Sequence, residues 1–347
     1  MGEAREKTSG ASLLTRGFHR DAPGFCGNVF PASGFSPFPV SRANKKDEVL
    51  KMRKRKGHLT YEPSGYLFIA PYYLFFLVFV VFPILVNIFL SFTNFNLKTY
   101  KFIGFSNYLK IPKDTFFIKS IENTIIYVFW TILINIILGL LLALVMNRKG
   151  IWLRGFFRAT YYLPYVTSMA AISMIWLWLF EPSGGFMNAV LHLFRIPSQT
   201  WLYDENLALG CIIFMTIWKN LGYYMTIYLA GLTGIPNYLY EAAMMDGATP
   251  FQQFVHITVP MLKPITFFLL ITGTANAFNV FEQVNVMTGG GPMNATTTIV
   301  HQIYTRSFTE YKLGYGAAQA IVLFLIVLVF ALLNFRYGNQ GPDLDIG

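Results

Sequence analysis

Six stretches of this chain are apolar enough to cross a lipid bilayer, and nothing else in it restricts the fold as severely. They fall at about residues 66–91, 121–146, 160–181, 207–233, 259–281 and 317–335. A helix needs roughly 20 apolar residues to cover a hydrocarbon core about 30 Å thick. Inside lipid every backbone N–H and C=O must be satisfied within the structure, which admits helices and closed barrels only. None of the six runs alternates as a barrel strand would. The reading is an all-α polytopic membrane protein with six transmembrane helices. Composition agrees, since 54% of the 347 residues are hydrophobic and only 13% are charged, against about a quarter charged in a soluble domain.

Residues 1–41 do not belong to this pattern. They are rich in Gly, Pro, Ser and Phe, lack periodicity and hold no continuous apolar region, so they are not a signal peptide. They read as part of a disordered basic extension over 1–60, ahead of a membrane domain over 61–337 and a tail over 338–347. The run Met52-Arg53-Lys54-Arg55-Lys56 raises the expectation that the natural start is Met52. The basic residues from Arg42 to Lys56 suit nucleic acid or anionic lipid on charge alone; their position just before an apolar span favours membrane lipid and no nucleic acid.

Orientation follows from the bias of Lys and Arg toward cytoplasmic loops. With the N-terminus inside, that side collects the basic run, Arg148, Lys149, Arg154, Arg158, Lys263 and Arg336, and accounts for most of the net charge of +10. Both termini are then cytoplasmic, and the first external loop, with Lys98, Lys101, Lys110, Lys113 and Lys119, weakens the bias. The two cysteines, Cys26 and Cys211, cannot meet under this topology. Pro71 and Pro83 predict a bend in the first span, and Gly139 with Ala143 forms a small-residue notch suited to helix packing in the second.

Polar residues inside spans are costly and mark solute paths. The fourth span carries Thr216, Lys219, Asn220 and Tyr223; the fifth and its end carry Asn276, Asn279, Glu282 and Gln283. By i,i+3 and i,i+4 spacing Thr216, Asn220 and Tyr223 share one face, as do Asn276, Asn279 and Gln283. Amides and carboxylates bond hydroxyl groups while aromatic rings cover the apolar face of a sugar, so the two faces predict a wet cavity for a hydroxyl-rich solute. The competing reading is interhelical hydrogen bonding that holds the bundle together. Lys219 and Glu282 read first as snorkelling or paired side chains near opposite membrane faces, and Lys219 otherwise as the partner of an acidic sugar.

Between the fourth and fifth runs lies a polar loop, about 236–260, with Glu241-Ala242-Ala243, Asp246-Gly247 and then Ile257-Thr258-Val259-Pro260. Pro236 and Glu241 favour a helix start and Gly247 a stop, predicting two short helices joined at Gly-Ala-Thr-Pro. Glu-Ala-Ala, three residues, Gly, nine residues and Ile-x-Leu-Pro is the pattern of the loop by which ATP-binding-cassette importer permeases are recognised, and this loop resembles it at Glu241, Ala242, Ala243, Gly247, Ile257 and Pro260, with Val259 in place of Leu. Arg154 to Pro164 and the Gly289-Gly290-Gly291-Pro292 run extend a resemblance to the sugar-transporting branch across roughly residues 60–337.

The resemblance implies a type I importer permease fold with cytoplasmic coupling helices, in the inner (plasma) membrane of a prokaryote. It implies partnership with a second transmembrane permease subunit, an ATPase dimer docked on the Glu241 loop with Asp246, and an extracytoplasmic solute-binding protein. It puts transport contacts at Thr216, Lys219, Asn220 and Tyr223, and at Gly273, Asn276, Ala277 and Val280. The chain has no Gly-x-x-x-x-Gly-Lys-Ser/Thr and no protease, hydrolase or Cys/His metal signature, so the expectation is a non-enzyme that binds no cofactor, with ATP and Mg on the partner ATPase. The solute is expected to be a sugar or oligosaccharide, with glycerol phosphate or a uronate as the alternative. A facilitator that needs no ATPase would leave the Glu241 loop unexplained, and a membrane enzyme would need an ionisable cluster.

Overall fold

The computed structural model describes residues 63–148, 150 and 152–338. The basic extension up to residue 60, the proposed start at Met52 and the tail after Gly338 lie outside the described residues. From Ile69 onward the described residues form one compact unit. Among the described residues there is no strand, only an isolated bridge between Thr93 and Phe102.

Helix α1 (Tyr66–Ser91) is interrupted by a π turn at Leu77–Val81, two residues before Pro83. The same arrangement recurs in α9 (Pro250–Met261), where a π turn at Phe254–Thr258 precedes Pro260. A proline cannot bond the carbonyl four residues back and its ring collides with it, and a widened turn centred on Phe79 or His256 relieves both problems. Pro71, where a bend was also expected, lies in unbroken helix.

After the short α2 (Ser106–Lys110), α3 (Thr115–Asn147) runs for 33 residues. Asp114 caps it, its carboxylate accepting from the Phe116 and Phe117 amides at 3.1 and 3.2 Å. The third apolar run is not one helix. It divides into α4 (Arg154–Val166) and α5 (Met169–Leu179), bent by 97°, which corrects the continuous span expected over 160–181. Pro164 removes one ladder donor, the Thr167 hydroxyl donates to the Leu163 carbonyl at 3.0 Å, and Thr167 adopts extended backbone. Then follow α6 (Phe186–Leu193), α7 (Ala208–Gly234), α8 (Asn237–Met245), α9, α10 (Lys263–Phe278), α11 (Glu282–Met287), α12 (Ile299–Tyr304) and α13 (Leu313–Gly338).

Helices α1, α3 and α13 are each long and apolar enough to cross a membrane, and the bent pairs α4–α5 and α9–α10 each qualify as one broken span. Helix α7 has 27 residues, about 40 Å of rise, but Thr216, Lys219, Asn220 and Thr226 dilute its apolarity.

The centre of the bundle is the pair α3 and α7. At Gly139 the helices approach so closely that a Cβ would meet Tyr224, and at Gly222 one would collide with the backbone of Tyr161 in α4. Tyr127, Trp176, Ile212, Met215 and Phe278 form one core cluster; Ala143, Met225, Tyr228, Leu232, Leu262 and Leu269 form a second toward the α8–α9 end. At the other end Asn123 Nδ2 donates to the Asn294 and Thr297 carbonyls, at 2.9 and 3.0 Å, and thereby ties the Gly289–Pro292 loop to α3. There, too, Arg306 bridges Glu310 (2.6 Å) and Asp114 (3.3 Å). Large apolar side chains along α1, α3 and α13 face outward, uncovered by this chain, as lipid contact requires.

Candidate functional site: a polar cavity and an exposed helical hairpin

Between the two larger core clusters lies a cavity of about 440 Å³. Helix α7 contributes Thr216, Lys219, Asn220, Tyr223 and Tyr224 to its wall, and α10 contributes Gly273, Asn276 and Ala277. Gln283 reaches it from α11. The remaining wall is α3, through Tyr127, Thr131, Ile132 and Asn135, and the α4–α5 elbow, through Tyr165 and Met169.

Two kinds of polar side chain meet here. Gln283 Nε2 donates to the Tyr127 hydroxyl at 2.8 Å, Tyr127 donates to Thr216 Oγ1 at 3.1 Å, and Thr216 donates to the Ile212 carbonyl at 2.9 Å. This chain of bonds links three helices and is the bundle-holding network that the competing reading anticipated. Asn220 and Asn276 differ: among the described residues their amides make no hydrogen bond, while both line the cavity. An unspent amide on a cavity wall can serve a ligand. The Tyr165 and Tyr223 rings stack 4.7 Å apart at 17°, giving the wall an aromatic plate.

Three expected residues lie elsewhere. Helix α10 ends at Phe278, so Asn279 caps it and donates to the Ala275 carbonyl at 2.8 Å instead of continuing the Asn276 face. Val280 is buried in the first core cluster, and Glu282 opens α11, exposed and away from the cavity wall. Lys219 does not snorkel, and it makes no ion pair with Glu282 within 4 Å, although the two charges attract at longer range. It lies near the middle of α7, is only 5% exposed, and its Nζ donates to the Tyr165 carbonyl at 2.8 Å above the Tyr165 ring.

The second feature is the hairpin α8–α9. Helix α8 stops in a Schellman arrangement, with Ala248 N–H on the Ala243 carbonyl (2.9 Å) and Gly247 N–H on the Met244 carbonyl (3.1 Å). Gly247 sits at φ +78°, which a side chain would strain. Thr249 and Gln252 then form a capping box that starts α9. Leu239, Tyr240, Ile257 and Met261 pack on the second core cluster, and Tyr240 OH pairs with Thr258 Oγ1 at 2.9 Å. Glu241, Ala242, Met245 and Asp246 point outward, and the Glu241 carboxylate has no ion pair among the described residues. Ala243, Asp246, Gly247 and Ile257 rim a surface notch of about 360 Å³. A solid inner face under a bare outer face is the form of a docking knob.

Residues 135–338, from the cavity's Asn135 through the hairpin to the end of α13, match the family of binding-protein-dependent transport system inner membrane components. The chain belongs to that family. The arabinooligosaccharides transport system permease protein AraP of Bacillus subtilis is 34% identical, over 80% of this chain and 89% of its own. The sn-glycerol-3-phosphate transport system permease protein UgpA of Agrobacterium fabrum is 35% identical, over 68% of this chain and 80% of its own. In three dimensions the permease superposes with TM-score 0.70 on a chain of a bacterial ABC transporter involved in the import of the acidic polysaccharide alginate, 25% identical, covering 84% of this chain and 98% of that one. It is thus a multi-pass ABC importer permease of the type I fold.

The permease cavity also uses residues that sequence reasoning missed. On α3, Tyr127, Thr131 and Asn135 recur every four residues and are all buried, a stripe legible by the same periodicity used for α7. No linear signal marks Tyr165 and Met169, which the 97° elbow carries to the wall. Away from the spans, burial raises the Glu310 carboxyl, but bonds from Arg306 and Lys312 outweigh it and hold the group below its usual range.

Proposed function

We propose that this permease forms half of the translocation pathway of an ATP-driven, binding-protein-dependent importer for a sugar or oligosaccharide. It crosses the membrane six times with both termini cytoplasmic, pairs with a second permease subunit, and docks an ATPase dimer on the α8–α9 hairpin. ATP and Mg belong to that dimer, and an external binding protein delivers the solute. The observation that carries this reading is continuity. Helix α7 runs from Thr216, Lys219 and Asn220 directly into the hairpin, α9–α10 returns from it to Gly273 and Asn276, and Tyr228 OH donating to Thr266 Oγ1 at 3.0 Å clamps the two arms between hairpin and cavity. Motion of an ATPase against Glu241 would therefore travel along two helices to the solute site, rocking it between outward and inward access. Relatives for arabinooligosaccharides and for sn-glycerol-3-phosphate support a hydroxyl-rich solute.

The test is reconstitution of the complete complex in proteoliposomes with a labelled sugar panel. ATP-dependent accumulation is the expected result. Equal flux without nucleotide or ATPase would make the chain a facilitator and overturn the reading.

A further inference from the structure

Resting on that transport role, we infer that the solute carried through the cavity is a hydroxyl-rich anion whose carboxylate or phosphate is received by Lys219. Among the described residues Lys219 supplies the only formal charge on the cavity wall, which holds neither carboxylate nor second cation. A mid-helix cation in a membrane protein requires a partner. What the fold offers is partial: one hydrogen bond to the Tyr165 carbonyl at 2.8 Å and the Tyr165 ring at 5.6 Å. Neither neutralises it; the exposed Glu282 acts on it only at longer range, and among the described residues no carboxylate lies within 4 Å of Nζ. An ammonium has three protons to give, so two remain for a ligand.

A second observation is independent of the lysine. Asn135, 1% exposed, lies in the same wall; its Nδ2 donates to the Thr131 carbonyl at 2.8 Å while its Oδ1 has no partner. A buried acceptor without a donor is unfavourable, and a solute hydroxyl corrects it. The free amides of Asn220 and Asn276 extend the same demand for hydroxyls. A cation with no carboxylate in contact, beside amides free for hydroxyls, selects a uronate-type sugar or a polyol phosphate over a neutral sugar.

The test is equilibrium dialysis of labelled probes against the purified complete transporter without its binding protein, using pairs that differ in charge: trigalacturonate and its methyl ester, and sn-glycerol 3-phosphate and glycerol. The expected result is that a charged member binds about tenfold or more tightly than its neutral partner, the responding pair telling carboxylate from phosphate. Lys219→Met should erase that preference and Lys219→Arg keep it, with co-purification of the ATPase confirming that both variants are assembled. Equal binding of charged and neutral members, or a preference that survives Lys219→Met, overturns the inference. Binding of neutral maltotriose with none of the four probes bound also overturns it while leaving the transport role standing. Loss of all ATP-dependent uptake across the sugar panel would instead remove the transport role itself.

Discussion

The hairpin and the cavity are built on opposite principles. The hairpin lies within 25 consecutive residues, 236–260, closes on its own backbone through Gly247 and the Thr249–Gln252 box, and keeps Glu241 and Met245 bare. The cavity draws one or a few side chains from each of five chain segments between Tyr127 and Gln283, and its bonded members are spent on one another. A surface that presents itself to a partner can be local, because neighbours along the chain supply its shape. A surface that encloses a solute has to be assembled, because no single helix surrounds anything. If the contrast holds, damage to the hairpin should stop transport without unfolding the protein, and damage to the cavity should reshape selectivity without undocking the ATPase.

The largest effect is expected from Glu241→Lys. It reverses a charge on the exposed outer face of α8, so the melting temperature of the solubilised protein should stay the same while ATP-driven uptake and ATPase co-purification are lost. Uptake at the wild-type rate would remove Glu241 from coupling. Gly222→Val comes next and acts through the fold. Its added atoms meet the Tyr161 backbone, which cannot give way as a side chain can, and overpacking of this kind costs about 1–3 kcal/mol or more. The α4–α7 crossing should loosen, with a lower melting temperature and loss of both functions together; unchanged melting would mean that the two helices are not held where Gly222 allows.

Asn220→Leu or Asn276→Leu should act on the cavity alone. Each removes an amide that bonds no protein group, so stability should hardly change, while one lost hydrogen bond to the solute, about 1–1.5 kcal/mol, lowers affinity by about tenfold. Undisturbed uptake in both variants would return these amides to a structural role. Loss of ATPase docking in either would break the separation of the two regions.

The same contrast explains what could be read from the residues in advance. Helix positions α1, α3, α7 and α13 follow from apolar length, and the hairpin from Glu241, Gly247 and Pro260, because both are properties of neighbouring residues. Part of the cavity follows from α7, where Thr216, Lys219, Asn220 and Tyr223 share a face that the structure turns inward, and part from Asn276 and Gln283. The rest does not. Periodicity places Asn279 on the α10 face only if the helix continues, yet α10 ends at Phe278. Tyr165 needed the elbow after Pro164, which apolar content conceals. Lys219 and Glu282 read from charge alone as snorkelling or paired side chains, while the distance between them depends on the turn between α10 and α11 that no pattern announces.

The smallest effect probes how stiff the hairpin must be. Thr249 Oγ1 accepts from the Gln252 amide at 3.3 Å and Gln252 Oε1 accepts from the Thr249 amide at 2.7 Å, so Thr249→Ala opens the box at the start of α9 and should cost about 1 kcal/mol. The inner face of the hairpin still rests on Leu239, Tyr240 and Ile257, so global melting should be unaltered and the loss should appear as faster amide exchange over residues 249–253. If force passes from Glu241 through α9 to Asn276 as along a rigid arm, a softened first turn wastes part of each stroke: more ATP is hydrolysed per solute imported, while ATPase docking and solute affinity stay as they were. An unchanged ratio alongside faster exchange would mean that the stroke passes through α8 and α7 alone, and the two arms would no longer be equivalent.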